Sequence, residues 1–171
     1  MPRYVAFLRG VSPMNAKMPE LKRCFEQAGF GNVKTVLSSG NVVFDARSAS
    51  ELALARKIET AMAKELDRSF YTIVRSVNTL RELIDADPYA AFRVPANAKR
   101  VVTFLREPHK SPPALPSEVQ GARILAVQGG EIFTVYTPTP GNPVFMALIE
   151  KAFGKDITTR TWDTVKKCAV T

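Results

Sequence analysis

The side chains with most to offer chemically fall in two short stretches. Arg9, Gly10, Ser12, Asn15 and Lys17 follow the first apolar run, and Ser38, Ser39 and Asn41 belong to the turn Ser38-Ser39-Gly40-Asn41. A guanidinium presents five donors in a fork that matches carboxylate or phosphate oxygens, and hydroxyls, an amide and the N–H groups of a helix start add neutral donors. This set suits binding of an anion. It holds no paired nucleophile and base, so it assigns no reaction. The competing reading is that Ser38, Ser39 and Asn41 shape a turn and Asn15 caps a helix, the ordinary work of these residue types. The loop also lacks the Gly-x-x-x-x-Gly-Lys-Ser/Thr of a P-loop and the Gly-x-Gly-x-x-Gly of a dinucleotide site.

Other chemistries find little support. The single histidine, His109, sits in the proline-rich run Glu107-Pro108-His109-Lys110-Ser111-Pro112-Pro113, which argues against zinc and against Ser-His or Cys-His catalysis. Cys24 and Cys168 lie far apart on the apolar sides of expected helices and read as reduced core thiols. The carboxylates Asp45, Asp85, Asp87, Glu107, Asp156 and Asp163 fall near element ends, where caps and solvated charges are common, and no pair has acid/base spacing. Trp162 beside Arg160 reads as core packing of the last helix ahead of ligand stacking. No metal and no cofactor is expected. The formal charge of +8, from 24 Lys and Arg against 16 Asp and Glu, favours an anionic small molecule or nucleic acid as partner, although the basic residues are scattered rather than gathered in a run. No apolar run reaches membrane-spanning length and no signal-peptide pattern precedes the first strand, so a cytoplasmic protein with no membrane partner is expected. Nothing in the sequence sets an oligomeric state.

The elements that position these residues follow from periodicity. Residues 3–9 form a strand apolar on both faces, as in a central strand, and a helix follows over about 18–28, ended by Gly29. A hairpin at about 33–38 and 41–45 leads to a long helix over about 50–66, capped by Ser50, with Leu52, Ala55, Ile58, Met62 and Leu66 as its stripe. A strand at 71–75 and a short helix at 78–85 close this half. Arg100-Val101-Val102-Thr103-Phe104-Leu105-Arg106 then repeats Arg3-Tyr4-Val5-Ala6-Phe7-Leu8-Arg9 at five of seven positions. A hairpin around Gly129-Gly130, a helix at about 142–153, a strand at 157–160 and a helix capped by Thr161 repeat the element order, with the proline-rich segment in place of the first helix.

The fold expected is α+β, two ferredoxin-like β-α-β-β-α-β halves at 1–86 and 87–171 packed as one inseparable unit, joined through about 86–99. Right-handed crossovers give each sheet the order 4-1-3-2. That order sets the end of the first strand beside the start of the third. Arg9, Asn15, Lys17, Ser39 and Asn41 are therefore expected to face one pocket or groove.

Leu8-Arg9-Gly10-Val11, Met18-Pro19-Glu20-Leu21-Lys22, Ala28-Gly29-Phe30-Gly31-Asn32-Val33, Ser39-Gly40-Asn41-Val42-Val43-Phe44 and Thr158-Thr159-Arg160-Thr161-Trp162-Asp163-Thr164-Val165 together resemble, in order, the bacterial domain-of-unknown-function family 1697. The resemblance runs over essentially the whole chain and implies a small cytoplasmic α+β protein, with no established activity. Where many members continue after Arg-Gly with an Asn and paired glycines, this chain has Ser12-Pro13-Met14-Asn15, a poorer phosphate cradle because proline has no N–H. Where the family has Arg-Asn-Trp, this chain has Arg160-Thr161-Trp162, an exchange a capping role tolerates.

The function expected is binding of an anionic ligand, a nucleotide-like metabolite or RNA, at the edge formed by the 9–17 loop and the 38–41 turn. A metal-independent enzyme acting on a small anionic substrate and a protein-interaction or oligomeric scaffold are the alternatives.

Overall fold

The computed structural model describes residues 1–107, 117–119, 121–137 and 144–171. His109, most of the proline-rich segment and Asn142, the expected start of a helix, lie outside the described residues. By internal contacts the chain divides into two compact units, Met1–Glu82 with Lys166–Thr171, and Leu83–Val165. The division falls within a helix rather than at 86–99. The C-terminal residues belong to the first unit, where Arg3 Nη2 and Arg81 Nε donate to the carbonyls of Thr171 and Ala169, each at 3.3 Å.

The first unit contains β1 (Arg3–Leu8), α1 (Met18–Gln27), β2 (Gly31–Val36), β3 (Asn41–Asp45), α2 (Glu51–Leu66), β4 (Thr72–Ser76) and the start of α3 (Val77–Ala86). Its antiparallel sheet has the order β2-β3-β1-β4, the expected 4-1-3-2 read from the opposite edge. Leu21, Cys24 and Phe25 recur at helical spacing and bury one face of α1. That helix ends where Gly29 takes φ +97° and the Phe30 N–H reaches back to the Phe25 carbonyl at 3.2 Å. Ser50 caps α2 by accepting from the Ala53 N–H at 3.0 Å. The buried stripe of α2 is Leu54, Ala55, Ile58 and Met62; Leu54 takes the place expected of Leu52, which is half-buried. Tyr4, Ala6 and Leu8 pack with these helices and with Phe25, Phe30 and Phe44, each fully buried Leu or Phe contributing about 1.5–3 kcal/mol. On the opposite face of β1, Val5 and Phe7 are also fully buried, as the two-faced apolar pattern requires.

The second unit continues with β5 (Lys99–Leu105), β6 (Ser117–Val119), β7 (Ala122–Gln128), β8 (Glu131–Tyr136), α4 (Val144–Phe153), β9 (Ile157–Thr161) and the start of α5 (Trp162–Ala169). Its sheet order is β6-β7-β8-β5-β9, the same four-strand arrangement with an added edge strand. Leu105, Ile124, Ile132 and Ile157 pack with Ile149 and Phe153 of α4. Trp162 is buried against Tyr89 and Phe133, with ring centroids 5.3 and 6.2 Å away, so it belongs to the core. Both cysteines are free and buried. Among the described residues no helix is long and apolar enough to cross a membrane.

The duplication is visible bond by bond. The Leu8 N–H donates to the Gly40 carbonyl and the Leu105 N–H to the Gly130 carbonyl, both at 2.8 Å. Val5 faces Arg75 across β4 as Val102 faces Arg160 across β9. A second internal match, unread in the sequence, follows: Arg75-Ser76-Val77-Asn78-Thr79 corresponds to Arg160-Thr161-Trp162-Asp163-Thr164. Ser76 Oγ accepts from the Thr79 N–H at 3.1 Å and lies 2.8 Å from the Thr79 hydroxyl. Thr161 does the same for Thr164, at 3.3 and 2.9 Å. Each half therefore ends in a strand whose last hydroxyl caps the next helix.

Candidate functional site

The exit of β1 and the β2–β3 turn meet at Gly40. Its φ of +87° suits glycine, and a Cβ there would lie 2.9 Å from Val11 Cβ and 3.1 Å from Leu8 Cβ. The turn backbone is thus pressed onto the start of the 9–17 loop. Arg9 is held at the same edge by its N–H, which donates to the Tyr71 carbonyl at 2.9 Å. Gly10 also has positive φ, +82°, but a Cβ there would meet nothing within 4 Å. The predicted juxtaposition of loop and turn therefore holds in the backbone.

The side chains divide into two groups. Asn15 braces its own loop: Oδ1 accepts from the Ser12 N–H at 2.9 Å and Nδ2 donates to the Gly10 carbonyl at 2.8 Å. Ser12 Oγ accepts from the Met14 N–H at 3.3 Å. Asn41, expected to contact ligand, is instead fully buried, with Nδ2 donating to the Val36 carbonyl at 2.9 Å and to Ser39 Oγ at 3.0 Å. It closes the turn from inside. For that reason the turn runs from Leu37 to Gly40, with Leu37 at φ +60°, and Asn41 opens β3. Lys17, Ser38, Ser39 and Gly10 are exposed and Arg9 is half-buried. Lys17 precedes α1 without capping it, and its carbonyl accepts from the Glu20 and Leu21 N–H groups, both at 3.1 Å.

The five residues expected to face one pocket do not all do so, because Asn41 is fully buried. A cleft of about 400 Å³ between α1 and the end of α2 takes in Asn15 and none of the other four. Its charged lining is mixed: Glu20, Arg23, Glu65, Asp67 and Arg68. Cys24 forms part of its wall, and burial, reinforced by the Glu65 carboxylate, pushes that thiol above its usual range. A second groove, of about 540 Å³, lies at the other end of the sheet and is lined by Phe30, Ala46, Arg47, Ser48, Leu54 and Lys57 among others. Sequence reading passed over it. The available signal was the spacing of Ala53, Leu54 and Lys57, which puts them on one helix face beside the Arg47-Ser48 step after β3. Among the described residues no group of three or more His, Cys, Asp or Glu is placed to hold a metal.

The whole chain superposes on the structure of a conserved bacterial protein from Streptococcus pneumoniae, with a TM-score of 0.72, 22% identity, and coverage of 99% of this chain and 97% of that one. At that identity the likeness establishes the fold alone. No curated protein matches the sequence. The profile described as protein of unknown function (DUF1697) matches residues 1–133, three quarters of the chain, and the chain belongs to that family.

Proposed function

We propose that this protein binds an anionic ligand, a nucleotide-like metabolite or RNA, at the edge formed by the 9–17 loop and the β2–β3 turn. The observation that carries the reading is the charge of that edge. Residues 9–17 and 37–41 include Arg9 and Lys17 and no Asp or Glu. The second unit differs at the matching place: Phe7 pairs with neutral Asn41, whereas Phe104 pairs with the carboxylate Glu131. The wider surface agrees, since the first unit carries 15 Lys and Arg against 8 Asp and Glu and the second 9 against 8. Arg9, Lys17, Ser38 and Ser39, with the Gly10 backbone, are the contacting groups in this reading; Asn15, Asn41 and the Ser12 hydroxyl hold the backbone in place. Two buried free thiols are in keeping with action in the cytoplasm.

Single-stranded RNA and a nucleoside triphosphate test the proposal side by side. RNA affinity should fall steeply between roughly 50 and 200 mM salt, while a pocketed nucleotide should raise the melting temperature at either salt. Arg9→Gln with Lys17→Gln should abolish whichever response is seen while the near-UV circular dichroism stays native. No response from either ligand, or a double variant that binds as the parent does, refutes the edge and favours the scaffold reading.

A further inference from the structure

We infer a second ligand site in the first unit, the groove after β3, built for a small amphiphilic anion: one carboxylate or phosphate monoester on an apolar body. It lies at the far end of the sheet from the turn. Asn41 begins β3 and Ala46 follows its end, a separation of about 17 Å at the rise of a strand. The groove volume of about 540 Å³ falls within the range of small-molecule pockets, roughly 300–1,000 Å³.

Its lining is chemically divided. Phe30, Ala46 and Leu54 form an apolar floor, Arg47 and Lys57 supply two positive charges, Ser48 supplies a hydroxyl, and among the described residues no acidic side chain lines it. The three carboxylates within two residues of the lining have other partners: Asp45 Oδ1 pairs with Arg3 Nη1 at 2.8 Å, Glu51 Oε2 accepts from the Ser76 N–H at 2.8 Å, and Glu59 Oε2 accepts from the Thr72 N–H at 3.1 Å. Lys57 is held over the floor, with Nζ 5.0 Å from the centre of the Phe30 ring. The connecting loop is also fixed before any ligand arrives. The Ala46 N–H donates to the Pro2 carbonyl at 3.1 Å, the Ala49 N–H donates to the Tyr4 hydroxyl at 3.4 Å, and Ser50 caps α2. A preformed groove orders few groups on binding, which lowers the entropic cost. An apolar floor under two cations selects against polyanions, whose extra charge would lie on hydrocarbon, and against neutral apolar molecules, which leave the cations unmatched.

The test is a nuclear magnetic resonance titration of the full chain with phenyl phosphate, with benzyl alcohol as the neutral counterpart. Phenyl phosphate should shift the amides of residues 29–30, 46–49 and 53–57 saturably, and benzyl alcohol should not. Lys57→Met and Arg47→Gln, both changes of exposed side chains, should each weaken phenyl phosphate by about tenfold, the loss expected for one charge-assisted hydrogen bond. Arg9→Gln with Lys17→Gln should leave this titration unchanged, so failure of one site is read separately from failure of the other. The inference is overturned by shifts confined to the 9–17 edge, by no saturable shift at millimolar ligand, by benzyl alcohol binding equally well, or by affinity indifferent to both groove variants.

Discussion

Replacing Gly40 with alanine tests the junction on which the candidate edge depends. Two penalties act there. A side chain at φ +87° carries left-handed backbone strain of about 1–2 kcal/mol. The new methyl also has to displace Val11 Cβ at 2.9 Å, Val11 Cγ2 at 3.0 Å and Leu8 Cβ at 3.1 Å, atoms of a central strand and of a buried side chain, for an overpacking cost of about 1–3 kcal/mol. Loss of glycine entropy from the unfolded chain offsets about 0.4–1 kcal/mol. The net expectation is destabilisation of about 1–4.5 kcal/mol.

Gly10→Ala is the internal control. It has nearly the same φ, +82°, and open space around the added methyl, so it should cost at most about 1.5 kcal/mol. Urea unfolding followed by circular dichroism, with the slope m checked for constancy, gives both values. The difference between the variants isolates the close approach of turn and loop. A difference under about 0.5 kcal/mol means the turn does not press on Val11, and the argument that loop and turn form one edge fails with it.

Two further outcomes are expected. Asn41→Ala should cost about 1–3 kcal/mol because it strips a partner from the Val36 carbonyl, and it should leave RNA or nucleotide affinity unchanged; a stable variant with lost affinity would return Asn41 to the ligand set. Tyr89 should make the fold sensitive to alkali: burial, aided by Asp87 and opposed by backbone hydrogen bonds and Arg100, pushes its phenol well above the ordinary value of 10.0. The folded state then keeps the proton that the unfolded state loses, so the stabilisation is complete below about pH 10 and is lost as pH rises beyond it. Urea midpoints from pH 8 to 11.5 should fall less for Tyr89→Phe than for the parent, and parallel curves would contradict this. At neutral pH the variant should lose only about 0.5–1.5 kcal/mol, since the Val101 carbonyl keeps its bond from Thr134 Oγ1 at 2.9 Å.

The sheet order, the central strands and the caps at Ser50 and Thr161 were legible because each rests on local pattern: two-faced apolar runs, β-branched pairs around a turn, a hydroxyl before an apolar stripe. Boundaries moved where tertiary contacts decide. Leu37 is drawn out of the hairpin strand because Asn41 bonds the Val36 carbonyl from within, which no propensity for Asn in turns foretells. Leu54 replaces Leu52 on the buried stripe because the helix is rotated toward Ile58 and Met62, four and eight residues on. The approach of loop and turn was legible from strand order, whereas the burial of Asn41 was not. Strand order does place Arg9 by the turn, but whether an amide points outward or into its own loop depends on carbonyls left unpaired by the turn itself, and these appear only once the chain is built. The groove by Lys57 escaped for a related reason: its cations come from a loop and a helix that become neighbours by folding.

The two halves show which residues the scaffold needs and which it leaves for other work. Where the job is structural, both halves use the same chemistry: a Leu N–H bonded to a turn glycine, and a hydroxyl at the strand end capping the next helix over a Thr three residues on. These positions are set by backbone donors that have to be satisfied wherever this strand order forms. Arg9 and Arg106 follow the equivalent leucines, yet the strand residues beyond the two turns are Asn41 in one half and Glu131 in the other. Asn41 has a structural use that a carboxylate could not serve, since its Nδ2 donates to the Val36 carbonyl at 2.9 Å. The charge difference is wider than that one pair, since the half with the amide also holds most of the excess Lys and Arg. The turn accounts for Asn41 but not for the excess of Lys and Arg, and that excess falls in the half where the proposed anion would sit.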